Sequence, residues 1–389
     1  MSIKVVYAGG GSGGHILPLI AIDAEFKFRL KDDYRSLYII SDNSIESEYL
    51  KREGLDFIGV PVGKFRRYKR GIIGNLIDYS QQFKNLFDVF KTNKGLLKSI
   101  KLLKSYSPDC VLIKGGNAGL IVGLAAVILN IPIYLLESDI VIGTTNKLLV
   151  RFCRTLFVSW PIDEIKLNIK FTNKMVYLGT PVDRRFTNIS LKDSRNKLLK
   201  MNLKTDNNKL NILFLGGSLG SQYINDFVIN NLNRLNSNIW HVTGKGKQEN
   251  KNDKGYHNYS YFESLGDDLA TLIFFADIAV SRAGASSIAE LATLAKPTIM
   301  IPLPIASKNH QSIQAQYLNK EKAILIHYQT ELESSLLNKI NKLATEPSLR
   351  EELSKNFNRF SKSNASDNIR DFIIQDLGLS FNKDKVETN

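Results

Sequence analysis

The chain has 389 residues, of which 43% are hydrophobic and 10% aromatic, and its formal net charge is +14 at pH 7. This length is too great for one compact core, so we expect two large domains, and the composition excludes a disordered chain. Cys110 and Cys153 lie in apolar runs, which argues against a disulfide framework or a thiolate metal site. The first residues, MSIKVVYA, run into glycines rather than a cleavage site, so we expect a cytoplasmic protein.

Short apolar runs of strand type alternate with helical patterns along the first half of the chain. These runs cover residues 3–8, 36–40, 110–113, 132–136 and 155–158. The alternation predicts a parallel sheet wound with helices. The uncharged stretch 119–136 contains Asn130 and Pro132, so we interpret it as helix, turn and strand rather than as a membrane span.

Residues 64–104 are strongly basic, with eleven Lys or Arg residues and two Asp residues. Isoleucine, leucine and phenylalanine recur among these charges at roughly helical spacing, which predicts a basic amphipathic surface. Two interpretations stay open: a core-facing helix with a solvated basic face, or a surface that docks on anionic lipid. No recognition-helix or stacking motif accompanies the charge, so we expect no nucleic-acid partner.

A second series of apolar runs predicts a second α/β domain. Its runs begin at residues 211, 239, 278, 298 and 323. The two series start alike, because residues 3–14 and 210–221 each pass from an apolar strand into a glycine-rich turn and a helix. We expect an N-terminal domain at 1–161, a C-terminal domain at 162–350, and a helical segment at 351–380 that packs back on the N-terminal domain.

Both glycine-rich turns have the chemistry of a phosphate site. A turn from a strand into a helix gathers backbone N–H groups at the positive end of the helix dipole, and glycine lets an anion approach closely. Gly9, Gly11 and Gly14 also satisfy the G-x-G-x-x-G pattern of a dinucleotide site, but the expected acid is poorly placed because Asp42 comes late. A dinucleotide fold does not need His15 at the start of its helix, which favours another chemistry.

Five motifs occur along the chain. They are GGGSGGHILP at 9–18, LESDIVIGTTNKLL at 136–149, GGSLGSQYIN at 216–225, SRAGASSIAE at 281–290 and HQSIQA at 310–315. In order and spacing they resemble the motifs of the MurG family, N-acetylglucosaminyltransferases that make lipid II in peptidoglycan synthesis. The resemblance implies an α/β fold of the GT-B type, with two Rossmann-like domains facing across a cleft. It also implies an inverting transfer of N-acetylglucosamine from UDP-N-acetylglucosamine to the 4-hydroxyl of an undecaprenyl-linked muramyl pentapeptide.

By this resemblance the N-terminal domain would receive the lipid acceptor at the cytoplasmic face of the membrane. The acceptor pyrophosphate would lie on the first glycine loop, which comprises Gly10, Gly11, Ser12, Gly13 and Gly14. His15 would be the base that takes the proton of the acceptor 4-hydroxyl, because imidazole titrates near neutral pH. Asp139, an acid where the family has asparagine, is the second candidate base.

The C-terminal domain would hold UDP-N-acetylglucosamine. Gly217 and Ser218 would bind the diphosphate, Glu290 would accept hydrogen bonds from the ribose hydroxyls, and backbone near Leu265 and Gly266 would bind uracil. The full set of predicted donor contacts is Ser12, Gly13, Gly14, Asn117, Asp139, Arg184, Gly217, Ser218, Leu265, Gly266, Ala285, Glu290, His310 and Gln311. Arg282 is either a structural element or a helper to the nucleotide site.

No cofactor is expected for this chemistry. The second glycine loop and its helix dipole would stabilise the charge on the departing UDP, so no metal is required. The five histidines also lack metal-site spacing with acidic residues.

Several family positions are altered in this chain. The family's H-E-Q-N reads L-E-S-D at 136–139, its G-G-Y ends in Asn117, and Gln314 replaces the asparagine of H-Q-x-x-N-A. These changes leave open a related transferase that uses a different glycolipid acceptor. A non-catalytic nucleotide-sugar binding protein is a third hypothesis, and the presence of His15 argues against it.

Overall fold

The computed structural model describes residues 2–10, 13–42, 44–63, 79–165, 169–247, 256–304, 306 and 309–379. For residues 79–90 it describes the backbone of all twelve and the side chain of Asp88 alone. These residues form two compact units. The first contains the described residues up to Leu178 and those from Asn364 onward, and the second is Gly179–Ser363. The chain therefore passes between units after residues 178 and 363, where the expected boundaries were 161 and 350.

Within the described residues, the first unit is built on a seven-stranded parallel sheet. Its strands are β1 (Ile3–Gly9), β2 (Tyr34–Ser41), β3 (Phe57–Val60), β4 (Cys110–Lys114), β5 (Ile133–Glu137), β6 (Thr155–Val158) and β7 (Met175–Tyr177). Their order across the sheet is β3-β2-β1-β4-β5-β6-β7. Because β7 pairs with β6, the chain stays in the first unit beyond the boundary expected from the sequence.

Helices connect these strands. They are α1 (Gly13–Leu30), α2 (Glu46–Arg52), α3 (Tyr79–Tyr106), α4 (Gly116–Ile128) and α5 (Thr144–Leu149). The stretch 119–136 is a helix, a turn and a strand, as its sequence predicts, and none of the described helices is both long and apolar enough to cross a membrane. Of the basic segment 64–104, residues 64–78 lie outside the described residues.

A buried chain of hydroxyl groups fixes α1 against the sheet. The Tyr7 and Tyr34 hydroxyls lie 2.7 Å apart, and Tyr34 donates to Asp23 Oδ1 at 2.6 Å. Asp23 also pairs with Lys27 one turn further along the helix, at 3.0 Å. A buried carboxylate is tolerated only when it is paired and hydrogen-bonded, so these contacts hold β1, β2 and α1 in one arrangement.

The second unit has, among its described residues, a six-stranded parallel sheet with the order β10-β9-β8-β11-β12-β13. The strands are β8 (Asn211–Leu215), β9 (Asn238–Val242), β10 (Tyr259–Phe262), β11 (Ile278–Ser281), β12 (Thr298–Met300) and β13 (Leu325–Ile326). Its helices are α6 (Arg184–Thr187), α7 (Leu191–Lys200), α8 (Gln222–Asn231), α9 (Leu269–Phe275), α10 (Ala285–Thr293), α11 (His310–Lys320), α12 (Glu333–Thr345) and α13 (Pro347–Asn358). Two parallel α/β units were predicted from the sequence, and the fold confirms this prediction.

The chain returns to the first unit at its C-terminal end through α14 (Ala365–Asp376). Ile369 and Ile373 of this helix join the core of the first unit. Arg370 is buried, and its guanidinium lies 2.6 Å from Asp367 and 3.6 Å from the buried carboxylate of Glu25 on α1. The segment expected at 351–380 is thus divided, because α13 belongs to the second unit and α14 packs on α1 of the first.

Strand order reverses at one point in each sheet. In the first unit this point lies between β1 and β4, and in the second between β8 and β11. In open parallel sheets, ligands bind outside the carboxyl ends of the strands at such a switch point. The two glycine loops follow β1 and β8, so each begins at the switch point of its own sheet.

Candidate functional site

His15 lies in the first turn of α1, directly after the first glycine loop. Its Nδ1 lies 3.0 Å from the carbonyl oxygen of Lys114 at the end of β4. A carbonyl can only accept, so Nδ1 donates this hydrogen bond and Nε2 of the neutral ring is left as an acceptor. Burial and the nearby Lys114 ammonium lower the pKa of His15, while Asp139 partly opposes the shift. The neutral ring at pH 7 is therefore the form suited to accept a proton.

Close backbone packing sets the start of the first glycine loop. Gly116 has φ +75°, and a Cβ on this residue would lie 2.2 Å from the carbonyl oxygen of Gly10. Gly13 and Gly14 are the first two residues of α1. Gly11 and Ser12, the other predicted contacts of this loop, lie outside the described residues.

Lys114 is a buried lysine that the sequence analysis did not single out. Lys114 is the last residue of β4 and is 6% exposed. Its Nζ donates to Ser138 Oγ at 2.7 Å. Burial lowers the pKa of Lys114, and the carboxylates of Asp139 and Glu137 oppose that shift. A charged residue that closes the apolar run Cys-Val-Leu-Ile was the available signal.

Glu137, the residue of the 136–139 motif that matches the family, holds the loop after β5. Its carboxylate accepts from the backbone N–H of Asp139 at 3.2 Å and of Gly143 at 2.7 Å, and from Asn146 Nδ2 at 3.0 Å. Burial and the adjacent Asp139 raise the pKa of Glu137. The loop that carries Asp139 is thereby tied to the end of β5, near His15 and Lys114.

Asn117, a predicted donor contact, has a structural partner. Its Nδ2 donates to the carbonyl oxygen of Gly63 at 3.1 Å, so it ties the start of α4 to the end of the segment that follows β3. Gly63 immediately precedes the undescribed part of the basic segment.

The second glycine loop spans Gly216–Ser221 between β8 and α8. Ser221 caps α8 by accepting from the backbone N–H of Ile224, and its hydroxyl also receives a hydrogen bond from Arg282 Nη2 at 2.6 Å. Arg282 is buried and donates to the carbonyl oxygen of Ile301 at 3.2 Å. Arg282 therefore links the second glycine loop to the ends of β11 and β12.

Two charged residues of the second unit, Asp183 and Arg185, act on Glu290 of α10. Arg185 forms a bidentate pair with Asp183, at 2.8 Å and 2.7 Å, and also binds Asp267 in the turn that contains Leu265 and Gly266. Burial and Asp183 raise the pKa of Glu290 to about 8, and Arg185 partly opposes the shift.

Arg184, a predicted donor contact, directly precedes Arg185, whose guanidinium contacts Asp183 and Asp267. Ala285 and Glu290, two of the predicted donor contacts, lie on one helix, α10. Arg185 could not be singled out because its partner Asp267 is distant in the chain.

His310 and Gln311 open α11. Gln311 Oε1 accepts from the backbone N–H of Leu303, at 3.0 Å, which fixes the segment after β12. Gln314, the altered family position, is fully buried and donates from Nε2 to the carbonyl oxygen of Ala283. The start of α11 is thus linked to the segment between β11 and α10.

The predicted residues are divided between the two units. The first unit brings together Gly10, Gly13, Gly14, His15, Asn117 and Asp139, and the second holds Arg184, Gly217, Ser218, Leu265, Gly266, Ala285, Glu290, His310 and Gln311. Among the described residues, no group of three or more His, Cys, Asp or Glu side chains is arranged to hold a metal ion.

Gly220→Ala should destabilise the second unit more than Gly217→Ala. Both glycines have positive φ, +68° and +80°, so either alanine would carry a left-handed strain of about 1–2 kcal/mol. Only at Gly220 would the new Cβ lie 2.2 Å from a backbone oxygen, that of Thr243. Urea titration measures the free energy of unfolding of each variant, and equal losses would contradict this close packing.

Two family models match the chain. The model described as the glycosyltransferase family 28 N-terminal domain matches residues 5–158, and the glycosyltransferase family 28 C-terminal domain matches residues 211–369. Among solved structures, MurG of Acinetobacter baumannii superposes with a TM-score of 0.69 at 23% identity, covering 96% of this chain and 99% of that one. UDP-GlcNAc 2-epimerase of Neisseria meningitidis, bound to UDP-GlcNAc, has a TM-score of 0.66 at 14% identity over 96% and 100% of the two chains.

Similar curated proteins carry the name UDP-N-acetylglucosamine--N-acetylmuramyl-(pentapeptide) pyrophosphoryl-undecaprenol N-acetylglucosamine transferase. One from Clostridium botulinum (strain Langeland) is 35% identical over 87% of this chain and 90% of its own length. Another from Clostridium tetani is 32% identical over 96% and 98% of the two chains. The chain therefore belongs to the MurG family within glycosyltransferase family 28.

Proposed function

We propose that this protein transfers N-acetylglucosamine from UDP-N-acetylglucosamine to the 4-hydroxyl of a lipid-linked muramyl pentapeptide, with inversion at the anomeric carbon. The names of the Clostridium relatives specify this donor and this class of acceptor. The observation that carries the proposal is the imidazole of His15, which lies at the end of the first glycine loop. Its Nδ1 donates to the carbonyl oxygen of Lys114, which leaves Nε2 as the acceptor. A proton acceptor beside a phosphate-binding loop is what a transfer to a pyrophosphate-linked sugar requires.

In this mechanism His15 Nε2 takes the proton of the acceptor hydroxyl as its oxygen attacks the anomeric carbon. The bond from that carbon to the UDP oxygen breaks on the opposite face, and UDP leaves with the bonding electron pair. The acceptor pyrophosphate would rest on the backbone of Gly10–Gly14. Asp139 acts on His15 electrostatically, so it would stabilise the imidazolium that forms.

The donor would lie on the second unit. The backbone of Gly217, Ser218 and the start of α10 would bind its diphosphate, and the charge of departing UDP would be stabilised by helix dipoles. Glu290 would accept from the ribose hydroxyls, and the turn at Leu265 and Gly266 would contact uracil. Because Arg185 contacts Asp267 of that turn and acts on Glu290, it supports the uracil and ribose contacts as one assembly.

A different glycolipid acceptor is the second candidate. The observation that favours it is the altered motif at 136–139, since Ser138 and Asp139 stand beside the proposed base and are bound to Lys114 and Glu137 respectively. The acceptor is therefore the variable to test.

The wild-type protein should transfer labelled N-acetylglucosamine to lipid I, and His15→Ala should lower kcat by about 10²–10⁴-fold, since the variant lacks its general base. Asp139→Asn should retain most of the activity, because Asp139 acts on the base and is not itself the base. Thin-layer separation of the labelled lipid measures the transfer. Wild-type activity on another glycolipid but not on lipid I would reject the muramyl acceptor, and a normal rate for His15→Ala would reject the base.

Binding of UDP-N-acetylglucosamine should release a proton at pH 7. The carboxyl of Glu290 has a pKa raised to about 8 without ligand, and hydrogen bonds from a ribose diol favour its ionised form. The complex then carries fewer protons than the free protein, so affinity should rise with pH until Glu290 is ionised in the free protein as well. Calorimetry in buffers of different ionisation enthalpy measures the release.

Glu290→Gln should abolish that proton release, whereas Glu351→Gln, at an exposed position of α13, should leave it unchanged. The Glu290→Gln affinity should also fall about 10- to 100-fold, since hydrogen bonds to a charged group contribute about 1.5–3 kcal/mol. A binding enthalpy independent of the buffer would contradict the contact between Glu290 and the ribose.

We further propose that residues 64–104 dock the protein on the anionic face of the cell membrane. In the described part of this segment, α3 exposes Lys91, Lys94, Lys98, Lys101 and Lys104, and Leu97 among them is 68% exposed. Each Lys near an anionic leaflet contributes about 1 kcal/mol of attraction. A peripheral position would bring the first unit to its lipid-linked acceptor.

Replacement of Lys91, Lys94, Lys101 and Lys104 by Gln should reduce co-sedimentation with anionic vesicles at least tenfold, as four attractive charges are lost. The matched control replaces the exposed Lys192, Lys197, Lys200 and Lys204 of the second unit and should bind like the wild type. Added salt should weaken wild-type binding. Binding that is indifferent to anionic lipid and to salt would show that the basic face is only solvated.

A further inference from the structure

Lys114 contacts His15 and the residue that precedes Asp139 through different parts of the same residue. Its backbone carbonyl accepts from His15 Nδ1 at 3.0 Å, and its ammonium donates to Ser138 Oγ at 2.7 Å. Ser138 directly precedes Asp139, and its own carbonyl accepts from Trp160 Nε1 at 2.9 Å. One residue at the end of β4 therefore links the start of α1 to the loop after β5.

A buried ammonium is costly unless charges and hydrogen bonds compensate it. Lys114 is 6% exposed, and the carboxylates of Asp139 and Glu137 both act on it. Glu137 is itself bound to the backbone of Asp139 and Gly143. The Lys114 side chain thus lies among polar partners, and its backbone carbonyl meets His15 where α1 leaves the first glycine loop.

We propose that Lys114 is a positioning residue for the proton transfer: it orients the imidazole of His15 through its carbonyl and holds the Asp139 segment through its ammonium. This proposal deepens the function proposed above and rests on it. By orienting the ring, the carbonyl of Lys114 directs Nε2 away from β4. The side chain of Lys114 then lowers the pKa of this ring, and the carboxylate of Asp139 raises it.

Three charged groups from different elements act on His15. Lys114 on β4 opposes protonation of the ring, while Asp139 after β5 and Glu46 on α2 favour it. During the transfer the proton passes from the acceptor hydroxyl to Nε2 and forms an imidazolium. Lys114 keeps the ring unprotonated before this step and favours release of the proton after it, and Asp139 stabilises the charge in between.

The pH dependence of kcat/KM separates this role from simple support of the fold. Activity should rise with pH as His15 loses its proton, and this rise should move to higher pH in Lys114→Met, because a cation that opposes protonation is lost. Asp139→Asn should move it to lower pH, and the double variant should lie between the two. Ser138→Ala keeps the ammonium but loses its hydrogen bond, so kcat should fall about tenfold with little change of profile.

An NMR titration of the His15 ring gives a second readout that needs no activity. The His15 signal is assigned by its absence in His15→Gln. The pH midpoint of its titration should rise in Lys114→Met and fall in Asp139→Asn. Lys355→Met, which removes an exposed lysine of α13, should change neither the profile nor the midpoint. An unchanged His15 midpoint in Lys114→Met would overturn the proposal even if the wild type uses lipid I normally. If the midpoint shifts but the wild type does not act on lipid I, only the proposed acceptor is overturned.

Discussion

The reversal of strand order beside β1 and beside β8 is the constraint on which both glycine loops depend. Helices leave opposite sides of a parallel sheet at such a point, and loops in this position are the ones that bind anions in folds of this kind. In the first unit the hydrogen bond from His15 to Lys114 spans this point from the helix after β1 to the end of β4. In the second unit Arg282, after β11, binds Ser221, after β8.

Buried charges hold loops in place at the carboxyl end of each sheet. Lys114, Glu137 and Arg282 are each largely buried, and each binds backbone or hydroxyl groups of a loop at the carboxyl end of its sheet. Apolar side chains could fill the same volume at no electrostatic cost, but they could not orient hydroxyl and carbonyl groups. The polar partners therefore specify the geometry of the site, while the apolar cores beneath it supply most of the stability.

The pattern of elements was predictable because it depends on local chemistry. Apolar runs and glycine turns predicted both parallel sheets, and five motifs identified the family, since each lies within a few consecutive residues. The boundary between the units was harder to predict from the sequence. It lies after β7, a strand of three residues, Met175–Tyr177, which is too short to be recognised without its partner β6. Lys114 was overlooked for a related reason, because it completes a strand whose other residues are apolar.

By itself the sequence determined the α/β elements, the two glycine loops and the identity of His15 and Glu290 as candidate site residues, because strand, turn and helix signals act over a few residues. Only the tertiary structure decided which polar side chains meet: Lys114 with Ser138, Arg185 with Asp267, and Arg370 with Glu25. Each of these pairs joins residues on different elements. Their approach depends on how sheets and helices pack, and this packing sets the burial and the neighbouring charges from which the protonation of His15 and Glu290 follows.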